Sequence, residues 1–270
     1  MRKVFVYFLW TLLAVTVLSV ATAFYAINEG WIGYMPPIED LQNPISRYAT
    51  QIYSADGKII GTWNYNKENR ILVDYTKLSP SLVQALVATE DVRFYDHSGI
   101  DFYALGRAVI KRGLMGQKSA GGGSTITQQL AKQLYSERAY STMERLFQKP
   151  IEWVIAVKLE RNYTKDEIIT MYLNYFDFLH NAVGIKTASD VYFSKEPKDL
   201  TVPEAATLIG LCKNPSYYNP VRNPERSRER RNVVLGQMRK AGFLTDAEFE
   251  KYSATRTSAC RSRWTTSSRG

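Results

Sequence analysis

The chain has 270 residues, of which 45% are hydrophobic, and its formal net charge is +9. This length and apolar content suffice for one good-sized core and exclude a largely disordered chain. Two distant cysteines, Cys212 and Cys260, exclude a disulfide framework and, because they lack metal-ligand spacing, a zinc site. The positive charge is compatible with nucleic acid, with anionic lipid or with an ordinary solvated surface.

The first predicted element is an apolar helix that begins after Arg2 and Lys3. The uncharged run from Val4 to Ile27 can cross a ~30 Å hydrocarbon layer at ~1.5 Å per residue. A cleaved signal peptide is the alternative, because Ala21-Thr22-Ala23 resembles a small-residue cleavage site. We expect a retained anchor over residues 1–27, since the run continues beyond that site. The basic pair predicts a cytoplasmic N-terminus and an exported remainder, which argues against nucleic acid as a partner.

A connector and a helical domain follow the anchor. The connector, residues 28–79, contains Asp56-Gly57 between apolar and β-branched residues, which predicts a β-hairpin. From Pro80 onward apolar residues recur at three- and four-residue spacing, which predicts a mainly α-helical domain over residues 80–252. Residues 253–270 lack this periodicity, so we expect a disordered or aberrant tail there.

A glycine-rich segment interrupts the helical pattern. Three successive glycines end the stretch from Gln117 to Gly123, so we interpret it as a mobile loop. It lacks the GxxxxGK[ST] spacing of a phosphate-binding P-loop. The helix predicted after it begins with the hydroxyls of Ser124 and Thr125 and continues through Gln129 and Lys132. Free amides at such a helix start attract phosphate, and N-capping by the hydroxyls is compatible with that function.

Two further segments contain candidate catalytic carboxylates. Glu90 and Asp91 end an apolar helical pattern, where burial can raise the pKa of a carboxyl enough for it to act as a general base. A solvated helix end is the commoner alternative. In the other segment, Pro150 predicts a helix start with Glu152 in the first turn, beside Lys149.

Taken in order, these segments resemble glycosyltransferase family 51. That family comprises the glycan-polymerising domain of class A penicillin-binding proteins and the monofunctional peptidoglycan glycosyltransferases, and the resemblance runs from about Tyr48 to Tyr252. The matching positions are Glu90, Asp91, Phe94, His97 and Gly99, then the run from Gly123 to Lys132, then Lys149 and Glu152, then Lys165 with Tyr172-Leu173-Asn174, and finally the stretch from Lys213 to Asn232.

The resemblance implies a mainly α, lysozyme-like helical domain with a smaller membrane-associated lobe around residues 103–123, preceded by a single transmembrane helix. It also implies an enzyme of the bacterial inner membrane, with its catalytic domain on the extracytoplasmic side. Lipid II and the growing glycan chain are the implied substrates, and other cell-wall synthesis proteins are implied partners. Polymerisation would proceed with inversion, forming β-1,4 bonds and releasing undecaprenyl pyrophosphate.

The resemblance also implies a role for each matching residue. Glu90 is the expected general base, oriented by Asp91, and Glu152 is the second catalytic acid. Glu152 would also hold a divalent cation, Mg²⁺ or Mn²⁺, if one takes part. The residues expected to bind substrate or its pyrophosphate are Ser124, Thr125, Gln129, Lys132 and Lys149. The residues expected to be mainly structural are Phe94, His97, Gly99, Lys165 and Asn174.

The sequence departs from the family pattern at two places. Gln148 stands where the family usually has arginine, so we expect one pyrophosphate contact to be missing or to come from Arg145. Residues 176–184 lack glycines that are common in the family.

The chain also has no Ser-x-x-Lys, so we expect no penicillin binding and interpret it as the transferase part of a longer bifunctional protein. The alternatives are a lytic glycan-cleaving enzyme and an inactive, non-catalytic membrane remnant that binds lipid II.

Overall fold

The computed structural model describes residues 2–33, 35–37, 50–55, 59–63, 70–108, 110, 123–135 and 142–255, with the backbone alone at 2, 50–53, 59–63 and 142–147. The described chain is mainly α-helical, as the sequence predicted. Its α-helices are α1 (Arg2–Asn28), α2 (Pro80–Glu90), α3 (Phe102–Ala108), α4 (Ile126–Tyr135), α5 (Thr142–Asn162), α6 (Lys165–Tyr175), α7 (Ile185–Phe193), α8 (Val202–Leu211), α9 (Pro224–Lys240) and α10 (Asp246–Ala254).

Helix α1 has the length and composition of a membrane span, with a mean hydropathy of 2.3 in its most apolar window. Its C-terminal end contacts the helical domain. The Phe24 ring stacks on that of Trp153 in α5, with centroids 6.4 Å apart, and Ala26 and Ile27 are buried. Residues 3–23 are exposed, which fits a single-pass anchor whose last turns lie against the domain.

Two short strands precede the helical domain. Strand β1 (Thr50–Tyr53) pairs antiparallel with β2 (Ile59–Trp63). The predicted turn residues Asp56 and Gly57 lie outside the described residues. The domain itself begins earlier than the sequence predicted, because Val73 and Leu78 belong to the buried core. Val73 also exchanges two backbone hydrogen bonds with the side chain of Asn174, so the segment before Pro80 is part of the domain rather than of a connector.

The core lies between two groups of helices. Helices α2, α8 and α9 pack against one another, and α4 packs against both α5 and α6. Helix α2 starts at Pro80 because proline is favoured at the first helical position and the Ser79 hydroxyl accepts from Leu82 N. Its apolar face is buried, and it ends at Glu90. A hydrogen bond from Gln129 in α4 to Glu90 links the two groups at this helix end.

The helix that contains Glu152 starts earlier than predicted. Helix α5 begins at Thr142, and Pro150 lies inside it rather than at its start. The proline ring removes only one hydrogen bond, the one to the carbonyl four residues earlier, and the 21-residue helix continues through it. Glu152 is therefore a mid-helix residue, and the amides of a helix N-terminus do not stabilise its carboxylate.

Described structure continues past residue 253, where the tail was expected to begin. Helix α10 runs through Ala254, and buried Arg231 of α9 donates to the carbonyls of Ser253 and Thr255, at 2.9 and 2.7 Å. Cationic groups at a helix C-terminus satisfy carbonyls that have no partner within the helix. Residues 256–270 lie outside the described part of the chain.

The sequence did not predict the conformation of the loop between α6 and α7, because glycines that are common in the family are missing there. Leu179, His180 and Asn181 are consecutive and all have positive φ, between 54° and 65°. The turn is closed by hydrogen bonds from Phe178 N to Ala182 O and from Ala182 N to Leu179 O, both 2.9 Å long. Residues other than glycine rarely adopt this backbone conformation, so the surrounding contacts hold a strained turn in place.

Gly184, at the start of α7, is the position where we expect the largest effect of one added methyl group on stability. Its φ is +82°, and a Cβ atom would lie 2.7 Å from the carbonyl oxygen of Asn174. We expect Gly184→Ala to lower the free energy of unfolding by at least about 2 kcal/mol, because backbone strain and a clash add up. Gly242→Ala is the matched control, since its φ is +80° but nothing lies within 4 Å. It should cost only the strain, roughly 1 kcal/mol.

Thermal melts of the three proteins in detergent measure this difference. Equal losses in the two variants would show that the close approach to Asn174 does not matter for stability.

Candidate active site

The Glu90 carboxylate is half-buried and held by side chains from three helices. Gln129 Nε2 donates to Glu90 Oε2 at 2.9 Å, and the Tyr172 hydroxyl donates to Gln129 Oε1 at 3.2 Å. Burial raises the pKa of the Tyr172 hydroxyl well above its usual value, so this donor keeps its proton. On the other side, an Arg230 amino group lies 3.9 Å from Glu90 Oε1. These contacts leave the carboxylate fixed in orientation and 17% exposed.

The hydrogen bonds of the Asp91 side chain go to His97 and to the backbone of Ile126, and not to Glu90. Its Oδ2 atom accepts from Ile126 N at 3.1 Å, which places a negative charge at the first residue of α4. The same oxygen lies 3.0 Å from His97 Nε2. Since His97 Nδ1 accepts from Gly99 N, the ring proton lies on Nε2 and is donated to Asp91. The expected role of Asp91 in orienting Glu90 is therefore at most indirect, through the start of α4.

A hydrogen bond between Thr125 and Gly99 connects the start of α4 to the loop after α2. The Thr125 hydroxyl donates to Gly99 O at 2.7 Å and accepts from Gln128 N at 3.1 Å. A side chain at Gly99 would meet the backbone of Ala156 in α5 at 3.0 Å, so only glycine permits this approach. Both hydrogen-bonding functions of the Thr125 hydroxyl are thus used within the protein, and the geometry favours N-capping over pyrophosphate binding for this residue.

Ser124, Lys149 and Glu152 form a second polar cluster. Lys149 Nζ donates to Glu152 Oε2 at 2.6 Å and to Ser124 Oγ at 3.3 Å. The Glu152 side chain is fully buried, whereas that of Lys149 is 31% exposed. A buried carboxylate beneath a partly exposed ammonium fixes the position of the cation. The cluster therefore presents a positive charge and a hydroxyl together, which suits an anionic group.

Of the other predicted site residues, Lys165 and Phe94 are held within the fold, and Lys132 is not part of the cavity lining. Lys165 Nζ donates to His97 O and Glu160 and lies 4.3 Å from the centroid of the Phe94 ring. Phe94 is fully buried. Lys132 is exposed on α4, and it is not among the described residues that line the cavity containing Glu90. The side chain of Arg145 lies outside the described residues.

The described residues do not fit a protein-held divalent cation. No group of three or more histidine, cysteine, aspartate or glutamate residues with suitable geometry occurs in the part of the chain that the structure describes. The proposed ligand, Glu152, has the Lys149 ammonium against one carboxylate oxygen. A divalent cation prefers several oxygen ligands, so Glu152 by itself does not make a site for one.

A cavity of about 550 Å³ reaches both the Glu90 carboxylate and the cluster that contains Ser124. Glu90 and Ser124 both line it. Its walls come from the end of α2, the following loop, α3, the segment before α4 and the end of α9. The lining residues are Ala88, Thr89, Glu90, Asp91, Val92, Arg93, Asp101, Tyr103, Ala104, Arg107, Gly123, Ser124, Thr125, Gln237, Lys240 and Ala241. The candidate base and the hydroxyl held by Lys149 therefore face the same space.

Sequence reasoning missed several residues that contact the site. Arg230 belongs to a helical run of arginines in which the pattern does not show which side chain reaches Glu90. Gln129 was expected to bind substrate, but in the structure it holds Glu90. Arg107 and Lys240 face the cavity from helices distant in sequence, and no spacing signal connects them.

Comparisons with known proteins agree on one family. A family model described as Transglycosylase matches residues 56–239. Penicillin-binding protein 1F of Bacillus subtilis is 39% identical over 239 residues, covering 86% of this chain and 32% of that protein. Penicillin-binding protein 1A of Escherichia coli is 38% identical, covering 85% and 26%, and that of Aquifex aeolicus is 41% identical, covering 75% and 27%. This chain thus spans about a quarter to a third of the length of these relatives.

Among solved structures, the chain is similar to penicillin-binding protein 1A from Haemophilus influenzae. The sequences are 25% identical, the TM-score is 0.44, and the match covers 79% of this chain and 21% of that one. The family assignment does not depend on this likeness, because the family model matches more than half of the chain. The chain belongs to the transglycosylase family, the peptidoglycan glycosyltransferases found as domains of penicillin-binding proteins.

Proposed function

We propose that this chain polymerises lipid II into β-1,4-linked glycan strands, with Glu90 as the general base. The observation that carries the proposal is the cavity lined by both Glu90 and Ser124, with Lys149 donating to Ser124. A carboxylate that lines this space and a fixed cation bonded to a hydroxyl in its wall meet the two needs of the reaction. One group accepts a proton from a hydroxyl, and the other stabilises a departing pyrophosphate.

In the proposed reaction, the 4-hydroxyl of lipid II is the acceptor and the growing chain, linked to undecaprenyl pyrophosphate, is the donor. The hydroxyl oxygen forms a bond to the donor's anomeric carbon from the face opposite the pyrophosphate. The bond between that carbon and the pyrophosphate oxygen breaks, and its electron pair leaves with the oxygen. The hydroxyl proton passes to Glu90. Attack from the opposite face converts the α linkage of the donor into a β bond.

The residues around the two groups have supporting roles. Gln129 and Arg230 hold the Glu90 carboxylate in orientation, with an Arg230 amino group 3.9 Å from Glu90 Oε1. Glu152 positions the Lys149 ammonium and does not itself face the cavity, since its side chain is fully buried. In this proposal, Lys149 and Ser124 meet the pyrophosphate.

The proposal extends to the membrane. Helix α1 begins with two basic residues, Arg2 and Lys3, and such residues favour the cytoplasmic side of a membrane, which predicts that the domain lies outside the cytoplasm. The contact between Phe24 and Trp153 brings α5, which contains Lys149, against the end of the anchor. A lipid-linked substrate stays in the bilayer, so a site held close to the anchor suits it. Recruitment by other cell-wall synthesis proteins belongs to the same proposal.

Polymerisation of labelled lipid II by the full chain in detergent tests the proposal. We expect glycan products longer than the disaccharide, resolved by size. A folded protein that forms no polymer, yet binds lipid II, would replace the proposal with a lipid II-binding remnant. Digestion of purified cell-wall sacculi in a parallel assay would instead identify a lytic enzyme.

A further inference from the structure

Tyr172 is a buried residue that the mechanism above does not use. It belongs to the run from Tyr172 to Asn174 that matches the family, and its side chain in α6 is fully buried. Neither Tyr172 nor Gln129 is among the residues that line the cavity. The Tyr172 hydroxyl is nevertheless connected to the candidate base, because Gln129 contacts both the hydroxyl and Glu90.

The chemistry of these three groups fixes the direction of both hydrogen bonds. A carboxylate accepts hydrogen bonds and donates none, so the Gln129 amide must present Nε2 to Glu90 Oε2, at 2.9 Å. The other end of the amide, Oε1, then faces the Tyr172 hydroxyl at 3.2 Å. An amide oxygen also only accepts, so the hydroxyl must donate. Donation therefore runs in one direction, from the tyrosine through the amide to the carboxylate.

The surroundings keep the tyrosine in its donor form. Burial raises the pKa of the Tyr172 hydroxyl well above its usual value. Cys212 interacts with this hydroxyl, and burial raises the pKa of the Cys212 thiol as well. Both groups therefore stay neutral, and neither presents a negative charge that would compete with Glu90 for the amide protons of Gln129.

Loss of the hydroxyl would release the amide from its present orientation. A phenylalanine ring would leave Gln129 Oε1 without its donor, and a polar atom that loses its partner away from water is destabilised. Rotation of the amide by 180° would place Oε1 against the Glu90 carboxylate, where two acceptors repel each other. Glu90 would then keep the longer contact, with Arg230 at 3.9 Å from its other oxygen.

We propose that Tyr172 is a positioning residue, whose hydroxyl sets the orientation of the Gln129 amide and thereby fixes the Glu90 carboxylate for proton transfer. This inference rests on the proposed function. Tyr172 does not line the cavity, so it acts on the bond-forming step and not on the binding of lipid II. Its removal should therefore change kcat and leave KM unchanged.

Initial rates of lipid II polymerisation by the full chain in detergent, at varied lipid II concentration, test this role. Tyr172→Phe should lower kcat about tenfold, the effect of losing one hydrogen bond to a charged group, with KM within about twofold. Tyr192→Phe is the matched control. Tyr192 is also fully buried, and its hydroxyl donates to Phe178 O at 2.7 Å outside the cavity. It should lose a comparable amount of Tm and keep the wild-type kcat.

An active wild type whose kcat is the same in both tyrosine variants would overturn the inference and leave the proposed function intact. A double variant separates positioning from a general structural effect. Gln129→Met removes the amide, so adding Tyr172→Phe to it should lower kcat by less than about twofold more, because contacting residues that act as one unit are not additive. Losses that multiply would show that Tyr172 does not act through Gln129, which would also overturn the inference.

Crystal structures of the full chain in wild-type and Tyr172→Phe form give a readout that needs no turnover. We expect Gln129 Nε2 to leave hydrogen-bond distance of Glu90 Oε2 in the variant and to remain there in the wild type. A retained contact in the variant would overturn the inference. If the contact is lost but the wild type forms no polymer, the positioning role stands and the proposed function fails.

Discussion

Glu90→Gln should lower the rate of lipid II polymerisation by about 10²- to 10⁴-fold, the contribution expected of a positioned general base. The glutamine keeps the shape of the side chain, and its carbonyl oxygen still accepts from Gln129. An amide has no basic oxygen pair for the hydroxyl proton, so the acceptor remains a neutral alcohol. We therefore expect the variant to bind lipid II normally and to form no measurable polymer, as judged by products resolved by size.

The structure offers a matched control for this change. Glu196 is an exposed acid whose carboxylate lies 2.6 Å from Lys186, and Glu196→Gln removes the same charge outside the cavity. It should polymerise at the wild-type rate. Thermal melts exclude unfolding as the cause, since Glu90 is half-buried and retains the Gln129 contact in the variant. A Glu90→Gln protein that polymerises within threefold of wild type would assign the base to another group.

The positions of the chemical groups were predictable from sequence, but their partners were not. Glu90 and Ser124, which the resemblance named as site residues, line one cavity, and Lys149 donates to Ser124 beside it. It did not show that Gln129, 39 residues after Glu90, would hold the carboxylate. A helical pattern gives the buried face of each helix, whereas the contact between two helices depends on how they pack.

Local signals also failed where tertiary structure overrode them. Pro150 predicted a helix start, but helix α5 passes through it. The segment before Pro80 has little apolar periodicity, so its place in the core depends on Val73, Leu78 and the bonds to Asn174. Lys165 was expected to be structural on the basis of the resemblance alone, and the contacts of its ammonium with His97 O and Glu160 agree with that role. Such long-range hydrogen bonds leave no trace in spacing.

Lys149→Met should affect both activity and stability, for separate reasons. Loss of the cation removes a fixed charge next to the departing pyrophosphate, which we expect to lower the polymerisation rate about 10²- to 10³-fold, as for loss of other charge-stabilising groups. It also leaves the fully buried Glu152 carboxylate without the ammonium 2.6 Å away. Breaking such a pair costs roughly 3 kcal/mol, the lower end of the range because Lys149 is partly exposed. Tm should fall by roughly 6–12 °C.

A double variant separates the two effects. In Lys149→Met/Glu152→Gln no buried charge is left behind, and the amide keeps an acceptor oxygen, so most of the lost Tm should return. Polymerisation should not return, because the cation is still missing. Lys186→Met is the control for the pair itself. Its separation from Glu196 is also 2.6 Å, but Glu196 is 52% exposed, and breaking an exposed pair costs about 1 kcal/mol or less.

The opposite pattern would change the interpretation of the site. If the double variant regains activity together with Tm, the role of Lys149 is to neutralise Glu152, and the pyrophosphate must be met by other cations. Arg107 and Lys240 would then be the remaining described cations that face the cavity without a partner among the described residues. If Tm returns and activity does not, the buried glutamate holds the lysine in place, and the lysine acts on the substrate.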